Sequence, residues 1–183
     1  MGAEQSWPFT KAEHVSQGEV KIATDPALCV GTILGSCVST VIWDEKTCVG
    51  GINHVLLPTS SRPALSDHGY EVNLMELLIN GILAHGGCRK RLRAKVFGGA
   101  QMIDGLGHAG EDNTAFVMAY LDAEGIPCLA QSTGGRHARR LKAWPATGRV
   151  LQKTLQSHEA DREIDDMLQL RRNALRLSGV ELL

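Results

Sequence analysis

The feature that most constrains the fold is a pair of apolar, β-branched runs separated by a short polar break. The first run, CVSTVIWD, covers residues 37–44, and the second, CVGGINHVLLP, covers residues 48–58. Valine, isoleucine and threonine favour strands, and two such runs joined by a few polar residues predict an antiparallel β-hairpin. We therefore expect Glu45 and Lys46 to form its turn.

A two-residue turn also predicts which side chains face each other across the hairpin. It places Cys37 directly opposite His54, with both side chains on one face of the sheet. A turn longer by one residue would put them on opposite faces, and a bulge at Gly50 and Gly51 would re-aim the histidine. The contact between thiol and imidazole is thus a hypothesis that depends on the turn length.

The other segments alternate between the patterns of strands and of helices. Strands are predicted where β-branched or apolar runs end at turn residues, in residues 19–26, 92–100 and 126–132, with a second hairpin over residues 139–153 that turns at residues 145–148. Helices are predicted in residues 71–87, 113–125 and 159–177. Asn113 is the expected N-cap of the second helix, and Gly125 lies just past its end.

Composition excludes several classes of function. The chain has 183 residues, 43% of them hydrophobic, and a formal net charge of −1, which suits one globular domain and gives no general attraction to nucleic acid or anionic lipid. The sequence contains no apolar run of membrane-spanning length and no secretory signal pattern. Its five cysteines are odd in number and form no CxxC pair, which predicts reduced thiols in a cytoplasmic protein.

The Cys–His pair has the chemistry of a nucleophile and its base. A neighbouring imidazole activates a thiol, and the Gly35 and Ser36 that precede Cys37 predict a tight turn whose free N–H groups would hold an oxyanion. Thr32 lies close enough in sequence to orient the ring of His54. The alternative is structural, because a cysteine in a valine-rich strand is commonly a core thiol and a histidine there commonly has no catalytic role.

Several longer motifs resemble one known family. TILGSCVSTVIWD followed by GGINHVLLP, then KVFGGAQMI at residues 95–103 and LDAEGIPCLAQSTGGRHARRLKAWPATGRV at residues 121–150, are similar to the CheD family of chemoreceptor glutamine deamidases. The resemblance covers roughly residues 19–153. It implies an α+β fold in which mixed β-sheets form a sandwich flanked by helices, as in the deamidase domain of cytotoxic necrotizing factors. Residues 1–156 would form a single CheD-like deamidase domain, and residues 157–183 a C-terminal helical extension.

The resemblance also implies an activity and its residues. Cys37, His54 and Thr32 would be catalytic, with Gly35 and Ser36 in the oxyanion loop, and no metal or organic cofactor is implied. The reaction would convert glutamine side chains on the cytoplasmic helices of chemoreceptors to glutamate, releasing ammonia through a thioester, without nucleic acid and without membrane insertion.

Other readings of the same residues stay open. The chain could be a non-catalytic adaptor for a CheC-type phosphatase, or a Cys–His amidase of this fold that acts on another protein. Two basic clusters are either docking sites for acidic receptor helices or solvated edges: Arg89, Lys90, Arg91, Arg93 and Lys95, and Arg136, His137, Arg139, Arg140 and Lys142.

Overall fold

The computed structural model describes residues 13–56, 69–101, 108–156 and 159. These residues form nine strands and two α-helices, in the chain order β1 (Glu13–His14), β2 (Val20–Ala23), β3 (Val30–Leu34), β4 (Val38–Asp44), β5 (Gly50–Asn53), α1 (Gly69–Ala84), β6 (Leu92–Gly98), α2 (Ala109–Ala123), β7 (Cys128–Thr133), β8 (Arg139–Trp144) and β9 (Arg149–Thr154). No helix among the described residues is long and apolar enough to cross a membrane.

The strands form two mixed sheets. One has four strands in the order β1-β3-β8-β9, and the other has five in the order β2-β5-β4-β6-β7. The pairs β1–β3 and β6–β7 are parallel, and all other neighbours are antiparallel. The predicted α+β class, with mixed sheets and flanking helices, is confirmed.

Side-chain alternation divides the core into two layers. On one face of β4, Val41 and Trp43 pack between the sheets, in a cluster that includes Val30 of β3 and Ile52 of β5. On the opposite face, Ile42 packs in the cluster beneath both helices. The five-stranded sheet is therefore covered on both faces, which explains why every residue of β4 is buried.

The predicted hairpin is present, but its predicted register is wrong. Trp43 pairs with Gly50 and Val41 with Ile52, and the turn contains residues 45–48 instead of two residues. The Asp44 carboxylate accepts a hydrogen bond from the Lys46 N–H at 2.8 Å, and the Asp44 N–H donates to the Val49 carbonyl at 2.8 Å. This local cap lengthens the turn by two residues, so the register shifts by two and every side chain keeps its face.

The Gly-Gly pair in β5 does not form a bulge. Gly50 and Gly51 pair in register with β4, and a side chain at Gly50 would place its Cβ 2.0 Å from the Pro145 carbonyl oxygen. Glycine is needed here because the turn after β8 lies directly on this strand. His54 is the first residue after β5, between that strand and the isolated bridge of Val55 to Val38.

The other predicted elements have mixed outcomes. The first helix, three further strands and the second hairpin are confirmed as α1, β2, β6, β7 and β8–β9. α2 begins at Ala109, so Asn113 lies inside the helix and its prediction as the N-cap is wrong. Strands β1 and β3 were not predicted. β1 has only two residues, and VGTIL in β3 contains a glycine and lacks alternating apolar and polar residues. Apart from Glu159, the predicted extension at residues 157–183 lies outside the described residues.

Candidate active site

The candidate site lies where the chain crosses from one sheet to the other. β3 belongs to the four-stranded sheet and β4 to the five-stranded sheet, and residues 35–37 join them. We call these three residues the crossover loop. Thr32 lies on the face of β3 that carries Val30 and Leu34, and both of those side chains pack between the sheets. The predicted turn at Gly35 and Ser36 thus lies where the chain passes from the four-stranded sheet to the five-stranded sheet.

A hydrogen-bond chain orients the imidazole of His54. The Thr32 hydroxyl donates to the Val15 carbonyl at 2.9 Å, and its oxygen lies 3.0 Å from Nδ1 of His54. A hydroxyl has one proton to donate, so with that proton on Val15 its oxygen accepts from Nδ1–H. This arrangement assigns the ring proton to Nδ1 and leaves Nε2 with a free lone pair.

Two hydrogen bonds hold the backbone of His54, and Nε2 of its ring can still accept a proton. The residue is 6% exposed, its N–H donates to the Glu19 carbonyl at 3.1 Å, and its carbonyl accepts from the Gly18 N–H at 2.8 Å. Nε2 is buried and has no hydrogen-bond partner among the described residues. A buried acceptor without a donor is costly, and a catalytic role is one of the explanations for such a group.

Cys37 lies on the same face of the sheet as His54. Val38 bridges to Val55, so in this antiparallel pair Cys37 and His54 are diagonal neighbours across one rung. The Cys37 side chain is half-buried and packs against the Leu34, Phe97 and Leu141 cluster between the sheets. The predicted shared face is observed, whereas the predicted directly opposite pairing is not.

Burial keeps both groups neutral in the resting protein. It raises the pKa of the Cys37 thiol to about 11, although the residue's own backbone N–H partly offsets the effect. Burial also lowers the pKa of the His54 imidazole to about 4; a hydrogen bond to the Val15 carbonyl opposes this shift, and the charge of His14 adds to it. In the resting protein Cys37 is thus a thiol and His54 a neutral base, and the two do not form a thiolate–imidazolium pair.

The crossover loop turns its amide N–H groups away from the donors that hold its carbonyls. The carbonyls of Gly35, Ser36 and Cys37 accept hydrogen bonds from Ala100 N, Asn113 Nδ2 and Gly99 N at 2.8, 2.9 and 2.8 Å. All peptide bonds in the described chain are trans, so each N–H points opposite to the preceding carbonyl. The N–H groups of Ser36 and Cys37 therefore point away from these donors, as an oxyanion site requires.

Most of the basic residues have partners within the chain. In the first cluster, ion pairs join Arg89 to Glu124, Arg91 to Asp44 and Arg93 to Glu45, and Lys95 donates to the Gly148 carbonyl. In the second cluster, buried Arg139 donates to the carbonyls of Gly98, Ser132 and Gly134, and burial lowers its pKa. Arg136 and His137 are exposed. These contacts favour structural roles over docking for most of both clusters.

Comparison with known proteins identifies the family. The family described as CheD chemotactic sensory transduction matches residues 56–154. A Rhizobium etli protein is 47% identical over 154 residues, covering 82% of this chain and 84% of its own. The chain belongs to the CheD family. A Sinorhizobium medicae CheD is 48% identical over 155 residues, covering 83% of this chain and 85% of its own. Both carry the description "probable chemoreceptor glutamine deamidase CheD".

The matched range of the CheD family model does not include the three candidate catalytic residues. The range matched to the CheD family begins at Leu56, after Thr32, Cys37 and His54. The assignment of these three side chains therefore comes from the resemblance of the motifs around them and from their geometry in the structure, and not from that matched range. Asn113, which donates a hydrogen bond to the crossover loop, was not predicted as a site residue. In the sequence it is only an asparagine within an amphipathic pattern, and nothing there indicates this contact.

Proposed function

We propose that this CheD-family chain is a protein-glutamine deamidase that acts on chemoreceptors. The observation that carries the proposal is the buried Nε2 of His54, which is an acceptor without a donor on the sheet face that also carries Cys37. The names of the relatives supply the substrate class, a glutamine of a chemoreceptor. The reaction needs a nucleophile, a base and an oxyanion site, and in this proposal Cys37, His54 and the N–H groups of the crossover loop supply them.

The first half-reaction forms a thioester. Nε2 of His54 takes the proton of Cys37 as the sulfur attacks the glutamine side-chain carbonyl carbon. The N–H groups of Ser36 and Cys37 stabilise the oxyanion of the tetrahedral intermediate, and Thr32 holds the imidazolium through Nδ1. The C–N bond then breaks, and His54 returns its proton to the departing nitrogen, which leaves as ammonia.

The second half-reaction releases glutamate. His54 takes a proton from a water molecule that attacks the thioester carbon, and the C–S bond breaks as the sulfur regains a proton. The same two amides stabilise this second oxyanion. No step uses a metal or an organic cofactor. Because a receptor's signalling helices lie in the cytoplasm, we place the reaction there.

The test is direct conversion of receptor glutamines. Purified protein is incubated with a chemoreceptor cytoplasmic fragment, and glutamine-to-glutamate conversion is followed by peptide mass spectrometry. We expect conversion with the unaltered chain and none with Cys37→Ala. The matched control is Cys48→Ala, which removes an exposed thiol outside the site and should retain activity. Equal conversion by Cys37→Ala would contradict the assignment of the nucleophile.

A second role is binding and stimulating a CheC-type phosphatase. The high pKa of the resting Cys37 thiol is compatible with this role as well as with the deamidase, because the thiol stays protonated in the absence of a substrate. If the receptor fragment is unchanged by every variant, and Cys37→Ala stimulates the phosphatase as the unaltered chain does, the adaptor role is the function.

A further inference from the structure

One side chain from outside the crossover loop holds the central peptide of that loop. Asn113 of α2 donates from Nδ2 to the Ser36 carbonyl at 2.9 Å. The carbonyls on either side, those of Gly35 and Cys37, accept from backbone N–H groups after β6. Of these three hydrogen bonds, only the one from Asn113 is made by a side chain. A substitution at position 113 therefore directly removes a hydrogen bond to the Ser36–Cys37 peptide.

The buried position of Asn113 within α2 is unfavourable for an asparagine. The residue is fully buried and lies within α2, although asparagine is a poor helix former and a buried amide must find partners. Val117, one turn further along the same helix, packs in the apolar cluster beneath the five-stranded sheet. An apolar side chain at position 113 would thus be more favourable for α2. We attribute the presence of asparagine to its hydrogen bond with the crossover loop.

The contact fixes the direction of the amide that serves the reaction. In a trans peptide the Cys37 N–H points opposite to the Ser36 carbonyl, so anchoring the carbonyl toward α2 aims the N–H away from α2. That N–H is the group that partly offsets the burial of the Cys37 sulfur. Rotation of this one peptide would turn the donor away from both the sulfur and the oxyanion.

We propose that Asn113 is a positioning residue of the deamidase, which holds the Ser36–Cys37 peptide so that its N–H faces the thiolate and the oxyanion. The proposal rests on the proposed function for its effect on turnover. Its effect on the thiol itself does not depend on any substrate. Asn113 acts through the backbone and touches no reacting atom.

The experiment uses a variant that keeps the shape of the side chain. Asn113→Leu is nearly isosteric and helix-favouring but cannot donate, and Val117→Ala on the same helix is the control that weakens packing alone. We expect Asn113→Leu to lower kcat by about 10-fold or more with KM within about 2-fold, as for partial loss of an oxyanion donor. Val117→Ala should lower the unfolding midpoint and leave kcat within about 2-fold, because its cavity lies away from the loop.

The second readout is the rate at which iodoacetamide alkylates Cys37, measured by peptide mass spectrometry at fixed pH. We expect Asn113→Leu to slow it and Val117→Ala to leave it unchanged. If Asn113→Leu does not fold, Asn113→Ala removes the same donor. A variant without the donor that keeps both kcat and the alkylation rate would overturn the proposal. If the unaltered chain converts no glutamine, the deamidase proposal fails, while the alkylation rates still decide the role of Asn113.

Discussion

At the scale of single residues, the hydroxyl of Thr32 selects the tautomer of His54. Its one proton goes to the Val15 carbonyl, so its oxygen accepts from Nδ1–H and Nε2 is left as the base. Without that acceptor the ring can rotate, or can carry its proton on Nε2. Nε2 would then carry a proton and could not act as the base for Cys37.

Replacement of Thr32 tests this directly. Thr32→Val keeps the branched shape and removes the hydroxyl, and we expect it to lower kcat by about 10-fold or more, since an aligned general base contributes at least that much. Thr32→Ser, which keeps the hydroxyl, should retain most of the rate. Steady-state deamidation of a receptor fragment measures both. Equal losses in the two variants would indicate a packing role for Thr32.

The resting state of the thiol gives a pH prediction at the same scale. Because burial raises the pKa of Cys37 to about 11, the reactive thiolate is scarce at neutral pH and increases with pH through the alkaline range. We expect the alkylation rate of Cys37 to rise steadily from pH 7 to 10. Alkylation of the exposed Cys48 in the same samples controls for the reagent. A plateau already reached near pH 7 would show a thiolate–imidazolium pair instead.

At the scale of elements, the Asp44 carboxylate at the end of β4 binds the segment that precedes β6. Asp44 is buried and accepts hydrogen bonds from Lys46 N, Cys88 N and the Arg91 guanidinium, and that guanidinium holds its pKa well below the usual range. The same residue caps the four-residue turn that sets the β4–β5 register. The residues that lie opposite Cys37 and His54 across the hairpin are therefore set by a contact at its far end.

Removing that carboxylate should destabilise the fold. Asp44→Ala leaves two N–H groups and a guanidinium without their acceptor, and we expect a loss of about 3 kcal/mol in the free energy of unfolding. The adjacent Glu45 forms an exposed ion pair with Arg93, so Glu45→Ala should cost less than about 1 kcal/mol. Urea unfolding at neutral pH measures both. Similar values for the two variants would contradict this account.

At the scale of the whole molecule, the limits of sequence reasoning follow from where contacts lie along the chain. Local patterns were enough for α1, β6 and the second hairpin, because each depends on spacing within one segment. The β4–β5 register was missed because Asp44 is also held by Cys88 and Arg91, more than forty positions away. Thr32 was proposed from its position just upstream of Cys37 and from the resemblance, and not from strand pairing, since its strand, β3, lacks an alternating pattern.

The buried histidine also links the site to the stability of the whole molecule. The pKa of His54 is about 4 when folded, below its ordinary value of 6.5, so the unfolded chain binds a proton more readily. Its contribution to stability is present above pH 6.5 and is lost as the pH falls toward 4, by about 2 kcal/mol at pH 5. Urea unfolding at pH 7 and pH 5 should show this loss in the unaltered chain and a much smaller one in His54→Gln. The same loss in both proteins would place the acid sensitivity in another group.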